Sequence, residues 1–147
     1  MLYFAYGSNL NHKQMAFRCK ESKYIRKFKL KGYNLCFSHK TDNSIYGHAN
    51  ITKSKNFNVP GAIWNISRDD EKELDSYEGV NYNYYQKEYF KIRGKKTLFY
   101  VQKVYFKKKP NSTYLHTIIQ GYKDCNLDLN YLKKRISNYN TSYKIKW

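Results

Sequence analysis

The chain has 147 residues, 41% of them hydrophobic and 18% aromatic, and 28 Lys and Arg against 11 Asp and Glu leave a formal net charge of +17. That length predicts one domain spanning residues 1–147, and the interleaving of apolar with polar residues excludes a disordered chain. No apolar run approaches the roughly 18 residues of a membrane span, and Leu2-Tyr3-Phe4-Ala5-Tyr6 is too short for a signal-peptide core, so the expectation is a soluble, cytoplasmic protein without membrane association.

In chain order, Leu2 to Tyr6 is apolar and aromatic and stops at Gly7-Ser8-Asn9, which predicts a buried strand running into a loop. Asn9 or Asn11 then caps a short helix from His12 to Cys19. Tyr24 to Ser38 alternates basic and apolar residues around Gly32, predicting one bent strand or two. Ala49 to Thr52 and Val59 to Ile66 are two further strands, the second entered through Pro60-Gly61, where a turn or bulge is expected.

Ser67-Arg68-Asp69-Asp70 pairs a capping residue with a carboxylate three positions on, so a helix starts there and closes at Gly79. Tyr84 to Arg93 and Thr97 to Phe106 flank Gly94-Lys95-Lys96 and read as a hairpin. Tyr114 to Tyr122 and Leu129 to Ile136 have helical spacing and end the chain as two helices. The order predicts an α+β fold, an antiparallel sheet or barrel with helices outside it.

Cys19, Cys36 and Cys125 are odd in number and far apart, and His12, His39, His48 and His116 have no ligand spacing. Reduced thiols follow, with neither a disulfide framework nor a metal site. The positive charge attracts anions of every kind and selects no single function.

Three segments carry chemistry: Tyr3-Phe4-Ala5-Tyr6-Gly7-Ser8-Asn9-Leu10, then Val59-Pro60-Gly61-Ala62-Ile63-Trp64, then Leu74-Asp75-Ser76-Tyr77-Glu78-Gly79-Val80. In this order and separation they resemble the gamma-glutamylcyclotransferase family, of the AIG2-like superfamily. The likeness runs from Leu2 to about Leu132 and includes Pro110 to Tyr114, Gly121 and Leu127 to Tyr131. It implies a closed antiparallel β-barrel flanked by helices, with a pocket at its mouth. It implies that Glu78 is the catalytic acid/base, that Tyr6, Gly7, Ser8, Asn9 and Leu10 bind the gamma-glutamyl head group largely through backbone groups, and that Tyr114 lines the pocket. It implies no cofactor or metal and a monomer or homodimer. The glutathione-specific branch lacks an asparagine where Asn9 stands, so gamma-glutamyl amino acids or amines are the favoured substrates.

The chemistry suits these residue types. In cyclisation to 5-oxoproline, the substrate's own α-amine attacks its γ-carbonyl. The protein has to bend the substrate, move a proton and stabilise an oxyanion. A Gly-Ser-Asn turn offers backbone N–H groups to an anion. A glutamate at a helix C-terminus among tyrosines has its pKa raised toward that of a useful base.

The rival reading is a basic nucleic-acid-binding protein on a catalytically retired cyclotransferase scaffold, resting on Lys29-Leu30-Lys31, Lys107-Lys108-Lys109 and the interspersed aromatics. Because the lysines are spread along the chain, nucleic acid is expected only as an incidental ligand of the basic surface.

Overall fold

The computed structural model describes residues 1–147. The opening apolar run forms β1 (Leu2–Ala5), in which Tyr3, Phe4 and Ala5 are buried, and a short helix α1 (His12–Arg18) follows, capped by the Asn11 side chain. The basic, alternating stretch is one long strand, β2 (Lys23–His39), with register shifts at Tyr24/Arg26 and beside Gly32. It pairs along its length with β3 (His48–Asn65).

Two strands expected between residues 49 and 66 are therefore one. Pro60-Gly61 makes no turn, because both residues stay in the β2–β3 ladder, opposite Lys29 and Phe28, while β1 pairs with β3 only from Ala62 to Asn65. Pro60 lies beyond the end of β1, where its missing N–H costs no ladder bond on that side. The polar stretch Lys53 to Asn58 stays extended through its pairing with the outer part of β2.

After α2 (Arg68–Tyr77) come β4 (Gln86–Ile92) and β5 (Lys95–Val101), joined by Arg93 and Gly94, both at positive φ, as a tight hairpin. The hairpin is shorter than expected: Phe106 leaves it and, with Lys107, forms β6 (Phe106–Lys107) against Ser38 and His39 of β2. The chain ends in α3 (Ser112–Asp124) and α4 (Leu129–Ile136).

The strand order is β4-β5-β1-β3-β2-β6. This corrects the closed antiparallel barrel. The sheet is an open half-barrel with β4 and β6 as its two edges, and it is mixed, because β1 runs parallel to β5. Closure fails because β6 is two residues long and bonds to β2, so β4 has no strand on its outer side. A single cluster of 30 buried apolar residues joins the sheet to the helices, with Phe4, Leu98, Leu115 and Leu132 fully enclosed. No helix is long and apolar enough to cross a membrane.

Candidate active site

The sequence starts α2 with a reciprocal cap: the Ser67 hydroxyl accepts from the Asp70 N–H, and the Asp70 carboxylate accepts from the Ser67 N–H. One turn apart on this helix, Glu71 and Asp75 both receive the Lys87 ammonium, at 2.6 and 2.9 Å, and Asp75 also accepts from the Tyr100 hydroxyl at 2.7 Å. These bonds fasten α2 to the β4–β5 hairpin and so place its C-terminus. Glu78 is the capping residue there. Its N–H donates to the Leu74 carbonyl, and its own carbonyl accepts from the Tyr85 N–H. Gly79 follows at φ +64, where a Cβ would also meet the Tyr82 ring at 2.6 Å, so both the backbone and the space require glycine.

The second half of the site comes from the end of β1. Gly7 passes so close to β3 that a Cβ on it would lie 2.8 Å from the Cβ of Ala49. Its N–H has no hydrogen-bond partner within the protein. Ser8, Asn9 and Leu10 then make one 3-10 turn. The Asn9 amide, 3% exposed, points back under the cavity and donates to the Glu78 Oε1 at 3.2 Å and to the Tyr3 hydroxyl at 2.9 Å.

A cavity of about 410 Å³ opens between these two pieces, a size suited to a small ligand. Tyr6, Gly7, Ser8, Asn9, Glu78 and Tyr114 all line it, although Glu78 is 69 residues from Asn9 and 36 from Tyr114. Leu10 does not line it. That side chain is 0% exposed and packs beside Gly121 of α3, where it holds the turn against the helix. The Tyr6 hydroxyl is occupied as well, donating to the Tyr100 carbonyl, while the Tyr114 hydroxyl accepts from the Ala49 N–H at 2.9 Å.

Burial pushes the Glu78 carboxyl up to about 7, against the opposing pull of the Arg18 charge and the Asn9 hydrogen bond. Near neutral pH this group therefore has comparable protonated and ionised populations, which is what proton transfer in both directions needs. Burial likewise raises the phenols of Tyr3, Tyr6 and Tyr114, so they are neutral around it.

Sequence reasoning missed much of the remaining lining. Arg18 of α1 reaches the cavity with its guanidinium 4.2 Å over the Tyr77 ring, and it makes no ion pair. His39 and His48 also line the cavity and meet Tyr84, with His48 Nδ1 hydrogen-bonded to the Tyr84 hydroxyl at 2.5 Å. Their distance in sequence hides a proximity that the pairing of Ser38 with His48 creates. For Arg18 a signal existed, since Gln14 and Arg18 are four apart on one helix and face the motif that precedes it. No cluster of His, Cys, Asp and Glu suited to a metal ion occurs in the structure.

Residues 58–134 match the model of the AIG2-like family. The gamma-glutamylcyclotransferase of Homo sapiens is 30% identical, over 90% of this chain and 76% of its own length. That of Bos taurus is 30% identical, over 97% of this chain and 81% of its own. A solved gamma-glutamyl cyclotransferase superposes with a TM-score of 0.82 at 28% identity, covering 99% of this chain and 92% of that one. With Glu78 and the Tyr6-to-Asn9 turn facing one cavity at the distances above, and with relatives that align across almost the whole chain, this protein belongs to the gamma-glutamylcyclotransferase family of enzymes.

Proposed function

We propose that the chain converts a small gamma-glutamyl amino acid or gamma-glutamyl amine into 5-oxoproline and the free amine, with Glu78 as the general acid/base. The observation that carries this reading is the Glu78 carboxyl. Raised to about 7, it lies at the cavity wall and is hydrogen-bonded to the side chain of Asn9, in the turn that runs from Gly7 along the same wall.

The steps follow from that geometry. Ionised Glu78 takes a proton from the substrate α-ammonium, and the freed amine attacks the γ-carbonyl carbon. A C–N bond forms, and the carbonyl electron pair moves onto oxygen. In this reading the unpartnered Gly7 N–H and the adjoining N–H groups of the 3-10 turn stabilise that oxyanion, and one such donor is worth about 10²–10³ in rate. Protonated Glu78 then gives its proton to the departing nitrogen as the original amide C–N bond breaks and the lactam carbonyl re-forms, and Glu78, ionised again, takes the second proton from the ring nitrogen and passes it to the freed amine, leaving a neutral lactam and an ammonium product. Because nucleophile and electrophile share one molecule, holding it bent supplies much of the acceleration. Gly7 permits the close approach that this requires, and Tyr114 and Tyr6 close the wall beside it.

The test is release of 5-oxoproline from a panel of gamma-glutamyl amino acids, gamma-glutamyl amines and glutathione, for wild type and Glu78→Gln. The substitution preserves shape and removes the base, so turnover falls by about 10²–10⁴. Equal turnover in the two would remove Glu78 from the chemistry. With both proteins folded and neither active, the basic surface becomes the property to assay, by oligonucleotide binding across a salt series.

A further inference from the structure

Asn9 uses all four of its side-chain hydrogen-bonding positions. Its two N–H groups go to the Tyr3 hydroxyl at 2.9 Å and to Glu78 Oε1 at 3.2 Å, and its oxygen accepts from Gln14 Nε2 and from Arg18 Nη1, each at 3.1 Å. The two ends of an asparagine amide have nearly the same shape, so neighbours decide which end faces which way. Gln14 could present either end of its own amide, whereas a guanidinium only donates, so Arg18 alone compels the Asn9 oxygen to face α1. The NH₂ end is then left for Glu78. Flipping the amide would set the Asn9 carbonyl oxygen against the carboxylate and one N–H against Arg18, with like groups opposed on both sides.

We propose that Arg18, helped by Gln14, is a positioning residue for Glu78: by donating to Asn9 Oδ1 it holds the amide with its NH₂ on the carboxylate and fixes where that carboxylate points. Other contacts agree. Arg18 is stacked over Tyr77, the residue before Glu78, and so it binds α1 to the end of α2 where the carboxylate emerges. Gln14 also donates to the Ser8 hydroxyl at 2.8 Å, tying the turn to the same helix. Two residues one helical turn apart on α1 thus hold both the turn and the carboxylate, and neither has to touch substrate.

Arg18 is also the permanent charge in this neighbourhood. Facing Glu78 are the phenols of Tyr3 and Tyr6 at β1, of Tyr84 and Tyr85 before β4, of Tyr100 on β5 and of Tyr114 on α3, all raised by burial and neutral through pH 9. The Cys19 thiol, after α1, is pushed up to about 12 and is neutral too. His39 and His48 line the same cavity, and burial lowers His48, which favours its neutral form. On its own helix Glu78 has Asp75, already paired with Lys87. Loss of Arg18 therefore removes the favourable charge and frees the amide together.

The inference rests on the role proposed for Glu78, so one readout is chosen that needs no turnover. Carboxyl-detected NMR with ¹³C-labelled Glu follows the titration of Glu78 directly, the Glu78→Gln protein assigning the signal, in wild type, Arg18→Met, Arg18→Lys and Gln14→Leu. The expected result is a midpoint about one pH unit higher in Arg18→Met, a tenfold gain in proton affinity, largely restored in Arg18→Lys. The acid limb of kcat/KM for gamma-glutamyl-alanine moves with it. Gln14→Leu keeps the charge and shows a smaller shift. Arg18 is half-buried at the end of α1, and circular dichroism confirms that each variant is folded. A Glu78 midpoint in folded Arg18→Met within about 0.3 pH units of wild type would overturn the proposal whether or not the protein is active. A moved midpoint with no 5-oxoproline from any protein would instead overturn the functional reading and leave the positioning intact.

Discussion

Around Glu78 the polar groups are closed on one another. Asn9 bridges Glu78, Tyr3, Gln14 and Arg18, Asp75 is shared between Lys87 and Tyr100, and Tyr6 bonds to the Tyr100 carbonyl. Elsewhere in the lining, His39, His48 and Tyr84 meet by ring contact, at centroid separations of 5.0 to 6.5 Å, and by the one His48–Tyr84 hydrogen bond, and His39 adjoins the exposed segment that links β2 to β3. The first wall is assembled from β1, α1 and α2, and hydrogen bonds cross-link its side chains. The second lies at the end of the β2–β3 ribbon beside that exposed segment, and a single side-chain hydrogen bond, His48 to Tyr84, joins its rings. A proton transfer needs the first kind of wall, and recognition of varied leaving groups is compatible with the second.

The most damaging way to break this contrast is to disturb the backbone beneath Glu78. Gly79→Ala imposes a Cβ on a left-handed residue and drives it into the Tyr82 ring, an expected loss of about 3 kcal/mol in stability. Chemical denaturation measures it. Turnover of the protein that remains folded should fall as well, because Glu78 is the residue before.

Next in size is the stability that Glu78 itself withholds. Folding raises its carboxyl from 4.5 to about 7, so the folded state favours the protonated form, and stability is lost as pH climbs through that window. Glu78→Gln, neutral at every pH, should be more stable than wild type by about 3 kcal/mol at pH 8, with the gain vanishing near pH 4. A flat difference across pH would mean that the carboxyl is not perturbed by its setting.

How much of this could be read from the chain alone varies with how local each feature is. Ser67 with Asp70, Gly79 after Glu78, and the Gly7-Ser8-Asn9 turn are short-range patterns, and each lies where its local chemistry implies. The two walls needed long-range pairings that no short pattern encodes. Residues 53–58 look too polar for a strand and become one only because β2 extends beside them. The parallel β1–β5 contact and the two-residue β6 separate an open half-barrel from a closed antiparallel one, and both join segments about 70 to 95 residues apart. Leu10 belongs to the motif yet serves the core, since its place in the 3-10 turn directs it to α3. Tyr114 could be assigned to the cavity only by likeness, while Arg18 was legible as a helical neighbour of Gln14 and illegible as a partner of Asn9.

The smallest expected effect is the most discriminating. Burial lowers His48, with His39 close by adding to the effect, so the fold favours its neutral form. The sign is opposite to that of Glu78: this contribution is complete above the ordinary imidazole value of 6.5 and is lost as pH falls below it. Between pH 4.5 and 6.5 the two walls therefore pull stability in opposite directions. His48→Gln should flatten the acid side of a Tm-against-pH curve, Glu78→Gln should flatten the neutral side, and the double variant should lose both slopes additively if the walls are independent. A marked departure from additivity would mean that protonation at one group is felt at the other through the cavity they both line, and the division into two independent walls would have to be given up.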